Sequence, residues 1–538
     1  MSKASFKTLI TATKRLRIGG IPDGYQPLVL ADMARLAQGR VVFIARDAGQ
    51  AAGLRNMLGF FAPDVPVLEL PAWDCQPFDR MSPHGAVMAK RMATLSCLPH
   101  YENQPHIVLT TVSAAAQRLP PRHLVAQLGF SLRPGQMLDS DALVEFLSGN
   151  GYSRCSTVME PGDYAVRGGI IDLYAPGEDA PVRLDLFGDT LESIRHFDPE
   201  TQRTTEQVKA LELTTASEIH LNDETILAFR RGYVAKFGTV MNQDPLYQAI
   251  SEGARYQGME HWLPLFHDVL ETVFDHFGAC LYVCDDQMEA AYQDRLSQVT
   301  DYYQARHLAM QEETKRPTTQ RIIKPLPAED LYILEAEWHR RLDEVRLRQF
   351  SGFQLPEGDD TQNFEGKDAY QFSAERQQEN LNLFDALIAH LQDYQKRGKK
   401  ILLIASSAGA VDRLTQLLGE HGLHGLQVSD HWQAFTASPE PVHIASFQMD
   451  HGFETPEFYL LSEQDILGDR MVRPQRRKRA ENFLTEANSL NPGDHVVHVE
   501  HGVGRFEGLQ TIDAGGAPHD CLRIVYHGSS RLFLPVEN

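Results

Sequence analysis

The chain has 538 residues, an ordinary hydrophobic fraction of 42% and a net charge of −21. That length suits three to four domains of about 150 residues each, and no apolar run approaches the roughly 20 residues that would span a bilayer. A strongly acidic chain repels phosphate, so tight non-specific nucleic-acid binding by the chain as a whole is excluded and protein partners are favoured.

Lys3, Lys7, Lys14, Arg15 and Arg17 open the sequence with no acid among them, but no apolar core or cleavage site follows, so a basic first helix is expected rather than a transit peptide. Residues 1–125 read as α/β. A helix-like stretch Leu28–Leu36 leads to a strand Arg40–Ala45, a helix through Leu54 and Leu58 to a strand Val65–Leu70, and a strand His106–Thr111 to a helix Ser113–Arg118. Short apolar runs alternating with helical patterns predict a parallel sheet covered on both faces.

From 126 to 213 the strands shorten and turns multiply, as in a small α+β insert, and 214–348 return to mixed α/β with a charged helical stretch Glu337–Arg348. The polar residues 349–376 read as a linker. A second α/β unit spans 377–469: Leu381, Phe384, Leu387, Ile388, Leu391 and Tyr394 recur at helical spacing, followed by strands Ile401–Ala405, Val442–Ala445 and Phe458–Leu461. Arg470, Arg473, Arg476, Arg477, Lys478 and Arg479 make a basic run in a linker over 470–490, read as solvated or as a contact with a further domain in preference to a grip on DNA, and 491–538 are all β.

The six cysteines are dispersed, and the one close pair, Cys280 and Cys284, sits in an apolar run, so structural thiols in a reducing cytoplasm are expected. His495, His498 and His501 have no carboxylate or cysteine cluster beside them, and no metal site is expected. Glu463-Gln464-Asp465 has no nucleophile or base nearby, and no catalytic residue is assigned.

A phosphate loop needs glycines that expose backbone N–H groups, a lysine for the phosphates and a hydroxyl for magnesium. Gly19 and Gly24 have the right separation, but Tyr25 and Gln26 stand where the lysine and hydroxyl belong. Upstream, Lys14–Ile18 is not a convincing buried strand, and no strand ending in Asp-Glu follows downstream. An ordinary glycine turn and a decayed phosphate loop fit equally, and neither predicts ATP hydrolysis.

Three segments carry a family resemblance. Leu70-Pro71-Ala72-Trp73-Asp74-Cys75-Gln76-Pro77-Phe78-Asp79-Arg80-Met81-Ser82-Pro83, followed by Ile107–Ser113, resembles the first domain shared by the excision-repair protein UvrB and the bacterial transcription-repair coupling factors. Gly162-Asp163-Tyr164-Ala165-Val166-Arg167-Gly168-Gly169, with the hairpin Val182–Asp198, looks like the UvrA-binding domain of that module. Gly493–Phe506 resembles the RNA-polymerase-interacting domain of the coupling factors and the CarD-type regulators, which UvrB lacks.

The resemblance is to the front half of the coupling factors. It implies a multidomain α/β chain: a degenerate phosphate-loop, helicase-like module (1–125 and 214–348) with an inserted α+β UvrA-binding domain (126–213), a second α/β domain of unknown role, and a small SH3/Tudor-like, CarD-type β-barrel at 491–538. It implies UvrA and the RNA polymerase β subunit as partners, no membrane, and DNA contacts mainly through a motor that would lie beyond Asn538, with its ATP and magnesium. No cofactor or enzymatic activity is expected of these residues. The competing readings are a UvrB-like helicase subunit, which needs the lysine that Tyr25 replaces, and a CarD-like regulator, which leaves the first 480 residues unexplained.

In the hairpin, alternation puts Val182, Leu184 and Leu186 on one face and Arg183, Asp185 and Phe187 on the other. An aromatic beside an arginine on an exposed strand face fits a protein-binding hot spot. The alternative is a Phe187 folded under a loop, with Arg183 paired to Asp185 or Asp189. The resemblance places UvrA contacts at Arg167, Arg183 and Phe187, and Ile512 near the polymerase-contacting edge.

Overall fold

The order of elements begins as α/β: β1 (Leu16–Gly19), helix Gln26–Ala37, β2 (Arg40–Ala45), helix Ala48–Phe61, β3 (Val67–Leu70), helix Gly85–Cys97 and β4 (His106–Thr111). An insert follows with β5 (Gly129–Leu132), helix Ser140–Gly149, β6 (Ser153–Arg154), β7 (Asp163–Arg167), β8 (Ile170–Leu173), β9 (Val182–Phe187), β10 (Thr190–Phe197), β11 (Thr204–Gln207) and β12 (Leu211–Thr214). The chain then returns with β13 (Leu281–Asp285), helix Glu335–Glu344, β14 (Arg346–Phe350) and β15 (Thr361–Asn363). This computed structural model describes residues 3–127, 129–238, 244–315, 324–378, 382–468, 495–498, 502–514, 517–526 and 531–535. They fall into two units, Met1–Gly468 and Asp469–Asn538. Among the described residues no helix is long and apolar enough to cross a membrane.

The first sheet runs β15-β1-β14-β13-β2-β4-β3, every pair parallel. Both faces are covered, which is why its central strands read as unbroken apolar runs. In β2, Val41, Phe43 and Ala45 enter one core, while Val42 and Ile44 enter the other. Cys280 and Cys284 are buried around β13, and loss of water pushes the Cys280 thiol up to about 12.

Three expectations are corrected here. Leu16 and Ile18 are buried, so the stretch dismissed as a strand is β1, with Arg17 turned outward. The charged helix ends at Glu344, and Arg346–Phe350 is the strand between β1 and β13. The helix expected over 113–118 is a single turn, Val112–Ala115. Arg348 on β14 is fully buried and donates to the carbonyls of Leu9 (2.6 Å), Ala12 (2.5 Å) and Lys14 (2.9 Å), closing the end of helix Lys3–Thr11. Burial pulls its pKa down to about 10, with Arg346 adding to the effect.

The second α/β sheet contains β16 (Lys367–Asp368), β17 (Lys400–Ala405), β18 (Gln427–Val428), β19 (Val442–Ser446), β20 (Phe453–Glu454) and β21 (Phe458–Ser462). Its order is β16-β20-β21-β17-β19-β18, parallel from β21 to β18. It shares a core with the first domain: Tyr25 stacks on Phe453 at 4.9 Å, Phe60 on Phe447 at 4.5 Å, and Phe61 meets Trp432 at 5.2 Å. Residues 349–376, read as a linker, instead supply a strand to each sheet, β15 and β16, with Phe364 buried between them.

The second unit contains β22 (His495–His498), β23 (Gly502–Ala514), β24 (Ala517–Val525) and β25 (Arg531–Pro535), an antiparallel meander in that order. Among the described residues no pairing joins β25 to β22, the contact that would close a barrel. The basic run Arg470–Arg479 lies outside the described residues.

Candidate partner-docking site

The insert is an antiparallel sheet, β11-β10-β9-β8-β7, with β6 added in parallel. One face, with Tyr164, Ile171, Leu173, Val182, Leu184 and Ile194, packs on helix Ser140–Gly149 through Leu143 and Leu147. The opposite face carries the charged residues of the hairpin. Register aligns Ala165, Asp172, Arg183 and Arg195 in one row and Arg167, Ile170, Asp185 and Ser193 in the next on the same face.

Arg183 is not free. Its Nε and Nη2 donate to Asp172 Oδ1 and Oδ2 at 2.7 and 2.9 Å, and its guanidinium lies 5.1 Å over the buried Phe197 ring. The pair holds the Arg183 pKa above its ordinary value. Thus Asp172, buried on the neighbouring strand, is the partner, rather than Asp185 or Asp189. Desolvation pushes Asp185 up, but hydrogen bonds from Ser193 (2.6 Å) and Arg195 (2.6 Å) outweigh it and hold its carboxyl below the usual range. Arg167 is exposed and donates to the Ser156 carbonyl.

Phe187 ends β9 just before the two-residue turn Gly188–Asp189, where Gly188 takes φ +59°, a left-handed conformation that glycine adopts without strain. Its ring is 78% exposed, so the alternative of a phenylalanine folded under a loop is set aside. The face therefore presents an exposed aromatic and an exposed arginine on a backbone made rigid by paired charges.

The first sequence segment turns out to be a latch. Glu218, just past β12, is completely buried and accepts Arg91 Nε at 2.6 Å and the Trp73 indole N–H at 3.2 Å, while Arg91 also donates to the Pro71 carbonyl. Ser82 donates to Glu260 at 2.6 Å, and the Asp79 N–H donates to His261 Nε2 at 3.2 Å. An imidazole that accepts at Nε2 is neutral, and burial lowers the His261 pKa to about 4. The unfolded imidazole titrates near 6.5, so below that pH the unfolded chain takes up a proton that the folded chain refuses. This contribution to stability is therefore complete above about pH 6.5 and is lost as the pH falls towards 4. Stability measured by urea denaturation is expected to drop by about 2 kcal/mol from this residue between pH 7 and pH 5. His261→Gln, which retains an acceptor, should flatten that slope; an unchanged slope would show that His261 does not titrate there.

The other candidate, Gly19–Gln26, does connect a strand to a helix, but it is closed. The N–H groups of Gly20 and Ile21 are donated to the carbonyls of Phe353 (3.0 Å) and Ser351 (2.9 Å). A Cβ on Gly20 would lie 2.1 Å from the Phe364 carbonyl oxygen, and one on Gly24 would lie 2.5 Å from that of His451. The Tyr25 ring is buried against Phe453, and Gln26 donates to Asp23. A carboxylate pair missed in the sequence stands at the same end of the sheet, because β13 ends at Asp285 and Asp286 follows it directly. The signal was an apolar run closed by two acids. Arg46 occupies it, bridging Asp285 (2.7 Å) and Asp23 (3.3 Å), while Ser351 donates to Asp286.

In the second unit Ile512 lies on β23 opposite His519; its side chain is outside the described residues. β22 pairs only with residues 502–505, so beyond Arg505 that edge of β23 has no partner strand among the described residues.

Family models match three stretches in order: a UvrB interaction domain at 130–219, an MFD D3 domain at 394–466 and a CarD-like/TRCF RID domain at 490–538. The chain is 28% identical to the transcription-repair-coupling factor of Escherichia coli over 541 residues, covering 98% of this chain and 45% of that protein. It is 29% identical to that of Myxococcus xanthus, covering 98% and 45%, and 27% identical to that of Rickettsia bellii, covering 92% and 43%. The chain thus spans slightly less than half the length of these relatives. Matched by three domain models in order and aligned almost end to end, the chain is a homologue of the transcription-repair-coupling factors.

Proposed function

We propose that this chain is a docking module that couples a stalled RNA polymerase to nucleotide excision repair in the cytoplasm. UvrA docks on the sheet face formed by Arg167, Arg183 and Phe187, and the RNA polymerase β subunit docks on the C-terminal sheet near Ile512. The observation that carries the reading is Phe187, a large aromatic left 78% exposed at the end of a braced hairpin. Arg167 and Phe187 supply contact, and Arg183 holds the sheet that presents them. The match of 130–219 to a UvrB interaction domain supports the first partner, and that of 490–538 to a CarD-like/TRCF RID domain supports the second. The edge of β23 beyond Arg505, which has no partner strand among the described residues, suits addition of a partner strand, and β22–β25 form part of a small SH3/Tudor-like barrel in this reading. Calorimetry with purified UvrA, and separately with the β subunit, tests it: both should bind. Binding of UvrA alone would favour a UvrB-like subunit, of β alone a CarD-like regulator, and of neither would refute the coupling role.

The first sheet, in the same reading, is a decayed phosphate-loop module that takes neither ATP nor magnesium; those belong to the motor of the intact relatives, which also makes most of the DNA contacts. The committed N–H groups of Gly20 and Ile21 and the Arg46 bridge support it. Titration of the chain with Mg-ATP is expected to give no binding heat and no phosphate release. Magnesium-dependent turnover that Gly24→Ala abolishes would overturn this.

A further inference from the structure

Phe187 is not alone. Met137 is 79% exposed, and with Phe353 these two are the most exposed large apolar side chains among the described residues. Strand pairing puts Met137 and Phe187 in one row. Phe187 faces Thr190 across the hairpin, and Thr190 forms an antiparallel bridge with Met137. Cross-strand partners share a face of the sheet, so all three side chains point the same way, with Phe187 and Met137 about 10 Å apart at about 4.8 Å per strand.

The backbone holds Met137 in this position. The Gly135 N–H donates to the Leu191 carbonyl (2.7 Å), the Leu191 N–H to that of Gln136 (3.0 Å), and the Leu138 N–H to that of Asp189 (2.7 Å). Leu138 is buried in the core of the insert, so alternation along this short stretch turns Met137 outward. Isolated exposed apolar residues are ordinary on protein surfaces; two of the most exposed ones, aligned and held on a fixed backbone, make a shaped apolar patch. Arg167 lies on the same face at the adjoining end of the sheet and forms no carboxylate pair among the described residues.

We propose that Met137 is a second apolar anchor of this docking face, so that UvrA meets it with two shallow apolar sockets about 10 Å apart and a carboxylate for Arg167. The proposal rests on the reading of this face as the UvrA site. A thioether on an unbranched, flexible stem adapts to a socket that a rigid ring could not fill, which suits methionine to the outer position.

Calorimetry of the full chain with UvrA tests it, with thermal melting as the control for folding. Met137→Ala should weaken binding about fivefold or more, and Met137→Lys should weaken it further, as losing an interface anchor does. Neither should shift the melting temperature, because the side chain is outside the core. If Phe187→Ala weakens binding while both Met137 variants bind normally, Met137 is no anchor and the reading of the face stands. If Phe187→Ala and the Met137 variants all bind normally, the reading of the face falls and this proposal with it. Should Met137→Lys abolish self-association in sedimentation and spare UvrA binding, the patch serves a second copy of the chain and the proposal is overturned.

Discussion

Arg91→Ala is expected to cost about 3–5 kcal/mol of stability, the usual cost of removing one partner from a buried ion pair. Glu218 and Arg91 have fully buried side chains, and the carboxylate also accepts from the Trp73 indole. Without the guanidinium, a charged carboxylate remains in a low-dielectric interior, or it takes up a proton and loses much of its hold on the latch. The paired replacement Arg91→Met with Glu218→Leu should cost far less, because it removes both desolvation penalties and keeps apolar volume. Urea denaturation of the three proteins decides it. A single-site cost below about 1 kcal/mol, or a double replacement as harmful as the single one, would show that the pair does not work this way.

Phe187→Ala is expected to weaken UvrA binding by about 2–4 kcal/mol, the range of a central aromatic hot spot, with little change in folding, because the ring is exposed. Arg167→Ala should weaken binding by about 1–2 kcal/mol, also without unfolding. Arg183→Ala behaves differently: it strips the partner from Asp172, so part of its effect appears as lost stability of the insert. Calorimetry alongside thermal melting separates the two classes. Normal affinity in both exposed-residue variants would remove the site; a large drop in melting temperature for Phe187→Ala would mean that the ring supports the fold.

The sequence disclosed β2, β4, β17, β19 and β21 because strands covered on both faces are continuously apolar. It concealed β1, where Lys14, Arg15 and Arg17 mask the two buried residues Leu16 and Ile18. It concealed β15 and β16 as well, since Thr361-Gln362-Asn363 and Lys367-Asp368 are too short and polar to show any period and are strands only because a neighbouring sheet receives them. On the candidate docking face, alternation put Phe187 on the polar side of the hairpin but left open a ring folded under a loop, and only its exposure decides between the two. It could not choose the partner of Arg183, because Asp172 lies on a different strand and is brought opposite by register. Met137 carried no sequence pattern; it becomes visible only through its bridge to Thr190.

The short segment between β15 and β16 also has a mechanical meaning. Three residues, Phe364–Gly366, separate a strand paired into the first sheet from one paired into the second, and Gly366 lies so close to Tyr25 that a Cβ would come within 2.7 Å of the ring. A hinge needs a few residues free to change φ and ψ, and here both flanking strands are clamped in sheets. A load placed on the second α/β domain therefore runs into β15 and β1 along the strands, where parallel hydrogen bonds resist in shear together. The stacked pairs Phe60–Phe447 and Tyr25–Phe453 block rotation about that line. The two α/β domains, which belong to one compact unit, are therefore expected to respond to such a load together rather than to bend at Phe364–Gly366.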